Sequence, residues 1–394
     1  MKKQRNIAAI IYIFMMMILS AMCDNVRGPF IPTLKKEFAV NNKGISLMLL
    51  ACSLGYMCFT FVGGFLCEKI GQKKVFMLGF IFMVVPLAGL YFCNNFIVFI
   101  IELFVLNIGQ AFIAIGTNTI IPIIAIGFQA ILMNFTHFCY GLGATFTQRF
   151  TGIMLYKGMS WRQLYLIIAV ISAIMFLGFI FVKVPEAHKV SKNEKIDYKS
   201  IFRNRLLHYY MLALGFYVAA EMNVGNWFVN FMHDTYKFDS NKSSFYIALF
   251  FGTFAVGRLF GGFAAEKFGY MKSILVSSII AFVLFISGLF MGEGGIGIIA
   301  ISGLFFAINF PTAVLTISKV FKKNVSYITG IVIMGASCGA MIINVLIGTL
   351  NDAIGAYKTF YIIPICLLLC TVFMYLIFMN TKDILVKNRR EQNV

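Results

Sequence analysis

The sequence predicts an all-α membrane protein of twelve transmembrane helices in two pseudo-symmetric six-helix bundles. Three observations carry that expectation. Hydrophobic residues make up 60% of the 394 and charged residues 12%, against roughly half and a quarter in a soluble domain. The apolar residues fall in runs of about 20 or more, the length that crosses the hydrocarbon core of a bilayer. Finally, Gly63-Gly64-Phe65-Leu66-Cys67-Glu68-Lys69-Ile70-Gly71 returns as Gly261-Gly262-Phe263-Ala264-Ala265-Glu266-Lys267-Phe268-Gly269, 198 positions later, so the second half repeats the first.

The spans follow in order. Span 1 (7–33) comes after Met1-Lys2-Lys3-Gln4-Arg5, a start that imitates a signal peptide. No small-residue cleavage site follows, and Met22 before Cys23 spoils a lipoprotein site, so a retained first helix is expected. Spans 2 (43–66) and 3 (75–93) flank the first repeated hairpin, and spans 4 (96–122), 5 (128–154) and 6 (163–183) complete the N-terminal bundle, 1–183. The one long polar interval, 184–208, is a cytoplasmic linker. Spans 7 (209–234), 8 (243–265), 9 (273–291), 10 (296–318), 11 (326–350) and 12 (358–380) form the second bundle, 209–380, ahead of a cytoplasmic tail, 381–394.

The net charge of +18 would suggest nucleic acid in a soluble protein. Here the basic residues sit in loops between apolar runs, where they set topology and touch anionic headgroups. With both termini cytoplasmic, 22 of the 33 Lys and Arg fall inside and 8 outside, while Arg27, Arg149 and Arg258 lie within spans. That bias supports the orientation. The nine cysteines lie almost entirely in apolar segments without a C-x-x-C pair, so no metal or redox role is expected. No G-x-x-x-x-G-K-[ST] is present to bind ATP, and no Ser/His/Asp set or soluble catalytic domain suggests an enzyme.

The repeated hairpin has a physical logic. Gly64 lets two helices approach, Gly71 allows a tight turn, and Glu68 can brace neighbouring helix ends while Lys69, Lys73 and Lys74 stay in the cytoplasm. The second copy keeps Gly262, Glu266, Lys267, Gly269 and Lys272. This pattern resembles the loop signature between helices 2 and 3 of the major facilitator superfamily, with Glu where most members carry Asp. Its implied role is gating and structure, shared by Arg258 in the neighbouring Gly257-Arg258.

Further stretches resemble the fucose/glucose:proton symporter-like branch. They are Leu103-Phe104, Gly109 and Asn118 in span 4, then Asn134-Phe135, His137, Gly141 and Gly143-Ala144 in span 5. Span 7 contributes Phe216-Tyr217-Val218-Ala219-Ala220-Glu221 and Gly225-Asn226-Trp227, span 10 Phe310-Pro311-Thr312, and span 11 Gly339-Ala340, Gly348 and Asp352. The order holds across almost the whole chain. Two departures matter: the family's helix 1 acid would fall on Gly28, with Asp24 a turn earlier, and its helix 4 acid on Ala114. Fucose as substrate and the family's proton site therefore do not carry over.

A charge at the bilayer centre costs about 3 kcal/mol or more, so an ionisable group there needs a partner, water or a task. Asp24 and Glu221 lie mid-helix in spans 1 and 7, which are repeat mates, and the resemblance implies that helices 1, 4, 7 and 10 line a cavity. Both are candidate proton-coupling residues; the alternative is static pairing, Asp24 with Arg27 at i,i+3 or with Arg149. Arg149 is also a candidate substrate ligand. Asn118, Asn134, His137, Asn226, Trp227 and Asn309 fall on polar stripes. Amides offer donors and acceptors together, and an indole stacks on a pyranose, so this set suits a neutral polyhydroxylated solute; hydrogen bonding between helices is the other reading.

The expectation is a non-enzymatic secondary active transporter without cofactors. It would move a sugar or similar small polar solute by alternating access and proton symport, as a monomeric multi-pass protein of a bacterial plasma membrane with no nucleic-acid partner. The alternative is proton-driven efflux of amphiphilic drugs or lipids.

Overall fold

The computed structural model describes residues 2–124, 129–184, 198–321 and 325–392, with the side chains of Glu68 and Asn134 outside the described set. The chain is helical throughout those residues. In order it forms α1 (Lys2–Asn25), α2 (Arg27–Glu37), α3 (Asn42–Ile70), α4 (Gln72–Tyr91), α5 (Phe96–Ile124), α6 (Gln129–Tyr156) and α7 (Trp161–Ile180). Next come α8 (Tyr198–Arg203), α9 (Arg205–Tyr236), α10 (Ser240–Phe268), α11 (Tyr270–Phe290), a 3₁₀ turn (Gly292–Gly295), α12 (Ile296–Phe306) and α13 (Asn309–Val320). The last are α14 (Val325–Ile354), α15 (Ala356–Thr359) and α16 (Ile362–Gln392).

Among the described residues, ten stretches are long and apolar enough to cross a membrane. α6 (28 residues) and α9 (32) match them in length, but Asn, Thr, His, Tyr and Glu dilute their apolar content, as befits helices that carry polar groups inward. Three spans are interrupted: α1/α2, α12/α13 and α15/α16 each read as one crossing in two pieces.

By packing, the chain divides into two compact units, Met1–Ser191 with Met232–Ala248, and Lys192–Phe231 with Leu249–Val394. In the first, α5 packs on α3 and α4, α1 on α6, and α4 on α7. In the second, α11 packs on α12, α13 and α16, and α13 on α14 and α16. Helix starts follow local chemistry. The Asn41 side chain accepts from Gly44 N at 2.9 Å to begin α3, and Ser160 with Gln163 closes a reciprocal capping box at α7.

The duplication is written in the backbone. Seven described residues have positive φ, and six form pairs: Gly71 with Gly269 and Ala39 with Lys237 at 198 positions, Gly158 with Gly355 at 197. Each pair turns the chain between corresponding spans. Gly71 (φ 86°, ψ 154°), Gly269 (97°, 139°) and Gly355 (86°, 156°) lie in or near a region that side-chain-bearing residues scarcely enter.

The close helix approach expected at Gly64 falls one residue earlier. A Cβ on Gly63 would meet Ile115 and Phe112 at 2.7 and 2.9 Å, whereas one on Gly64 would be 3.9 Å from Ile115 and one on Gly262 would meet nothing. Gly71→Ala is expected to cost about 1–3 kcal/mol through backbone strain alone, because nothing lies within 4 Å of its Cβ position. In a detergent melt this reads as a midpoint lowered by several degrees, with Gly262→Ala unchanged.

Candidate functional site

Two clusters of ionisable groups lie within the spans, one in each unit. The first sits at the break between α1 and α2. Pro29 has no N–H to bond the carbonyl four residues back, and Pro32 repeats the defect one turn on. Arg27, 7% exposed, sits at the same break: its Nε donates to Asp24 O at 3.0 Å, and its Nη2 pairs with Asp24 Oδ1. Tyr140 of α6 donates to the other carboxylate oxygen, Asp24 Oδ2, at 2.7 Å. Asn25 Nδ2 reaches Tyr140 Oη at 3.4 Å and Ala21 O at 3.0 Å. Both oxygens of Asp24 are thus engaged, and Arg27 holds the acid and the backbone together.

The second cluster joins α9 and α10. Arg258 Nη2 lies 3.7 Å from Glu221 Oε1, too long for a hydrogen bond. Its guanidinium sits 4.4 Å from the Phe254 ring centroid, and its Nε is buried without a partner among the described residues. Tyr217, one turn before Glu221, is buried and donates to Phe306 O at 2.7 Å. Arg258, expected to share the gating and structural role of the hairpin, thus sits beside the acid of span 7, ten residues before the end of α10.

The other expected ligands divide by burial. Asn118 and His137 are exposed and Asn226 is half-buried. Trp227 is 1% exposed, and its indole N–H is spent on Asn344 Oδ1 of α14 at 2.9 Å, so its ring face is covered by protein. Asn309, 0% exposed, opens α13 just after the interruption at 307–308. Its amide donates to Phe305 O (3.1 Å) and Phe306 O (3.3 Å), and its carbonyl oxygen accepts from Ser278 Oγ at 3.0 Å. Ser277 Oγ adds a bond to Phe305 O at 2.7 Å. Asn309 is therefore fully occupied in closing a helix break.

Arg149 Nη1 donates to Asn241 O (2.9 Å), Asn241 Oδ1 (2.7 Å) and Ser244 Oγ (3.2 Å) at the start of α10, rather than to Asp24. Nearby in the same unit, Lys35 Nζ meets Asp234 Oδ2 at 2.7 Å. Glu37 accepts from Trp161 Nε1 (2.6 Å) and pairs with Arg162 (2.5 Å). Of the hairpin residues, Lys69 lies over the Phe65 ring and Lys267 over Phe268, Glu266 is exposed, and Glu68 and Asn134 have side chains outside the described residues. The sequence reading missed Tyr140 and Tyr217. Tyr217 was legible, being four residues before Glu221 on one helix face; Tyr140 reaches Asp24 only through the packing of α1 on α6.

Among the described residues, no group of His, Cys, Asp and Glu could hold a metal ion. Several buried amides, both atoms of Gln148 and Nε2 of Gln110 among them, have no described partner.

The geometry can be set beside known proteins. A family model described as Major Facilitator Superfamily matches residues 13–294 and again 210–393. The second match starts 197 positions after the first, the offset of the turns. A glucose/galactose transporter of Brucella abortus biovar 1 (strain 9-941) is 25% identical over 356 residues, covering 85% of this chain and 86% of that protein. The solved FucP transporter in its outward conformation has a TM-score of 0.67 at 19% identity, covering 95% of this chain and 99% of its own. The nucleoside transporter NupG reaches 0.76 at 12% identity, covering 93% and 100%. At such identities these structural likenesses speak to the fold.

Trp227→Phe leaves Asn344 Oδ1 without its donor, a loss of about 1–3 kcal/mol for a buried group. The expected result is a lowered detergent melting midpoint with the KM for substrate within twofold of wild type; a solute stacked on the indole would instead raise KM.

Proposed function

Because the chain belongs to the major facilitator superfamily, we propose that it is a secondary active transporter carrying a sugar or similar small polar solute by alternating access, coupled to protons. The sugar class is supported by the glucose/galactose transporter matched over 85% of this chain; the structure described as FucP is a fucose:proton symporter. The protein is a multi-pass membrane protein. The proposal extends to a monomer in a bacterial plasma membrane with both termini cytoplasmic, its halves 1–183 and 209–380 acting as the two moving bundles around the linker 184–208.

The observation that carries the coupling assignment is the unequal hold on the two acids. Asp24 is clamped on both oxygens by Arg27 and Tyr140, and letting go would also strip the α1/α2 break of its donor. Glu221 is held more loosely: Arg258 Nη2 stays 3.7 Å away, and its other neighbour, Tyr217, gives its hydroxyl proton to Phe306 O. Protonating Glu221 cancels that pair, so proton occupancy and the position of Arg258 are linked, which is the local event a coupled carrier needs. We assign the transported proton to Glu221 and a holding role to Asp24. The accessible Asn118, His137 and Asn226 are the proposed solute contacts, with Trp227 and Asn309 supporting them from within the protein.

Uptake into proteoliposomes against a panel of hexoses, with and without an inward proton gradient, tests the class. Accumulation of a hexose only with the gradient is expected; indifference of every sugar, with gradient-driven movement of an amphiphile, would favour efflux. Glu221→Gln is expected to abolish accumulation while sparing counterflow exchange, since exchange needs no net proton movement. Undiminished accumulation would make the acid structural. Asp24→Asn is expected to leave Arg27 buried and uncompensated. It should therefore act first on stability, by about 3–5 kcal/mol for a broken buried pair, seen as lost yield and a lowered melting midpoint.

A further inference from the structure

A groove of about 660 Å³ runs between α10, α11 and the α12/α13 span in the second unit, within the size range of specific small-molecule sites. Gly257, Gly261 and Ala264 line one side, Val276 and Ile280 another, and Lys272 lies at the end where α11 begins. Lys272 is exposed and makes no ion pair among the described residues. Lys319 sits 4.6 Å from the ring of Tyr270, two residues from Lys272, and Lys267 precedes the turn. Glu266 is the one acid of this turn, so the groove ends in a net positive rim. By the distribution of Lys and Arg along the chain, that rim lies at the cytoplasmic face.

The first half shows what the groove would be without a ligand to accommodate. Shifted by 198 positions, Gly257, Ala264, Ser273, Val276 and Ile280 correspond to Phe59, Leu66, Val75, Leu78 and Phe82. Each of these five is larger than its mate and belongs to one hydrophobic cluster of the first unit, while Phe260, Phe268, Ser277 and Phe305 of the groove wall are larger than theirs, Val62, Ile70, Gly79 and Asn107. Phe112 completes that plug, its ring 6.1 Å from Phe59 and 5.9 Å from Phe82. Its mate, Phe310, instead stacks on Tyr217 at 6.5 Å, beyond the helix interruption at 307–308. Both halves keep the lysine, Lys74 and Lys272, and in the second an open groove lies beneath it.

We propose that this groove is a binding site for one anionic membrane phospholipid, an acyl chain lying along Gly257, Gly261 and Ala264 and the phosphate resting on Lys272. Bulk lipid wets any apolar face; a concave apolar slot that ends under an exposed lysine, Lys272, selects for a chain and a negative headgroup together.

The test is native mass spectrometry of the detergent-purified full chain titrated with phosphatidylglycerol or phosphatidylethanolamine. The wild type is expected to retain one phosphatidylglycerol at least fivefold better than phosphatidylethanolamine. Lys272→Gln is expected to erase that preference. Ala264→Leu with Ile280→Phe, which rebuilds the plug of the first half, is expected to remove the retained lipid whatever its headgroup. Equal retention of the two lipids by wild type, or wild-type retention by the plugged variant, overturns the proposal. If the plugged variant melts early, Lys272→Gln, a change at an exposed position, decides alone: an unaltered preference overturns it.

Discussion

A backbone N–H or C=O left unmet in hydrocarbon costs several kcal/mol, and two of the three interrupted spans, α1/α2 and α12/α13, show how the chain meets that constraint. The response is the same both times. At the α1/α2 break, Arg27 supplies a donor to Asp24 O; at 307–308, Asn309, Tyr217 and Ser277 aim donors at the carbonyls of Phe305 and Phe306. Much of the polar chemistry inside the spans follows from these repairs. Arg27 is buried because the break needs it, Asp24 is immobile because Arg27 is, and Tyr217 stands one turn from Glu221 because it serves the other break. Interrupted helices in carriers are tolerated where neighbours re-satisfy the freed groups, and here each neighbour can be named.

The two acids on repeat-mate helices differ in their surroundings, and the proposed division of roles rests on that difference. Asp24 is gripped by an arginine and a phenol through short contacts, whereas Glu221 faces an arginine across 3.7 Å and a phenol whose proton goes to Phe306 O. The second unit also keeps an arginine nitrogen buried without a described partner, Arg258 Nε.

The fold was legible because its signals are long and redundant: span lengths, a doubled hairpin and the distribution of basic loops each point the same way. The turns were legible at glycine, where Gly71 and Gly269 need a backbone few other residues adopt, and not at Ala39 or Lys237, which carry no such mark. The site was legible only in part. Stripes of Asn and Trp mark polar faces, but a stripe does not say whether an amide meets a solute or a broken helix. Trp227 and Asn309 went to the protein because Asn344 and two freed carbonyls lay within reach, and those partners are 117 and a few residues away respectively. Contacts such as Tyr140 with Asp24 or Arg149 with Asn241 depend on packing across more than 90 residues and leave no local trace.

The paired turns bear on how this gene has been free to change. From Ala39 to Gly158 and from Lys237 to Gly355 the two halves count out four successive spans, and their lengths differ by a single residue. Surface loops of soluble proteins absorb insertions readily; these have not, although the side chains between them have drifted until Phe59 faces Gly257 and Leu66 faces Ala264 in register. A bilayer of fixed thickness leaves no slack for an added residue, since each would have to be accommodated by tilting a helix or by lengthening a loop that barely exists. Substitution, not insertion, has been the currency of divergence here, and the interval between the halves is where extra length could be gained without disturbing a span.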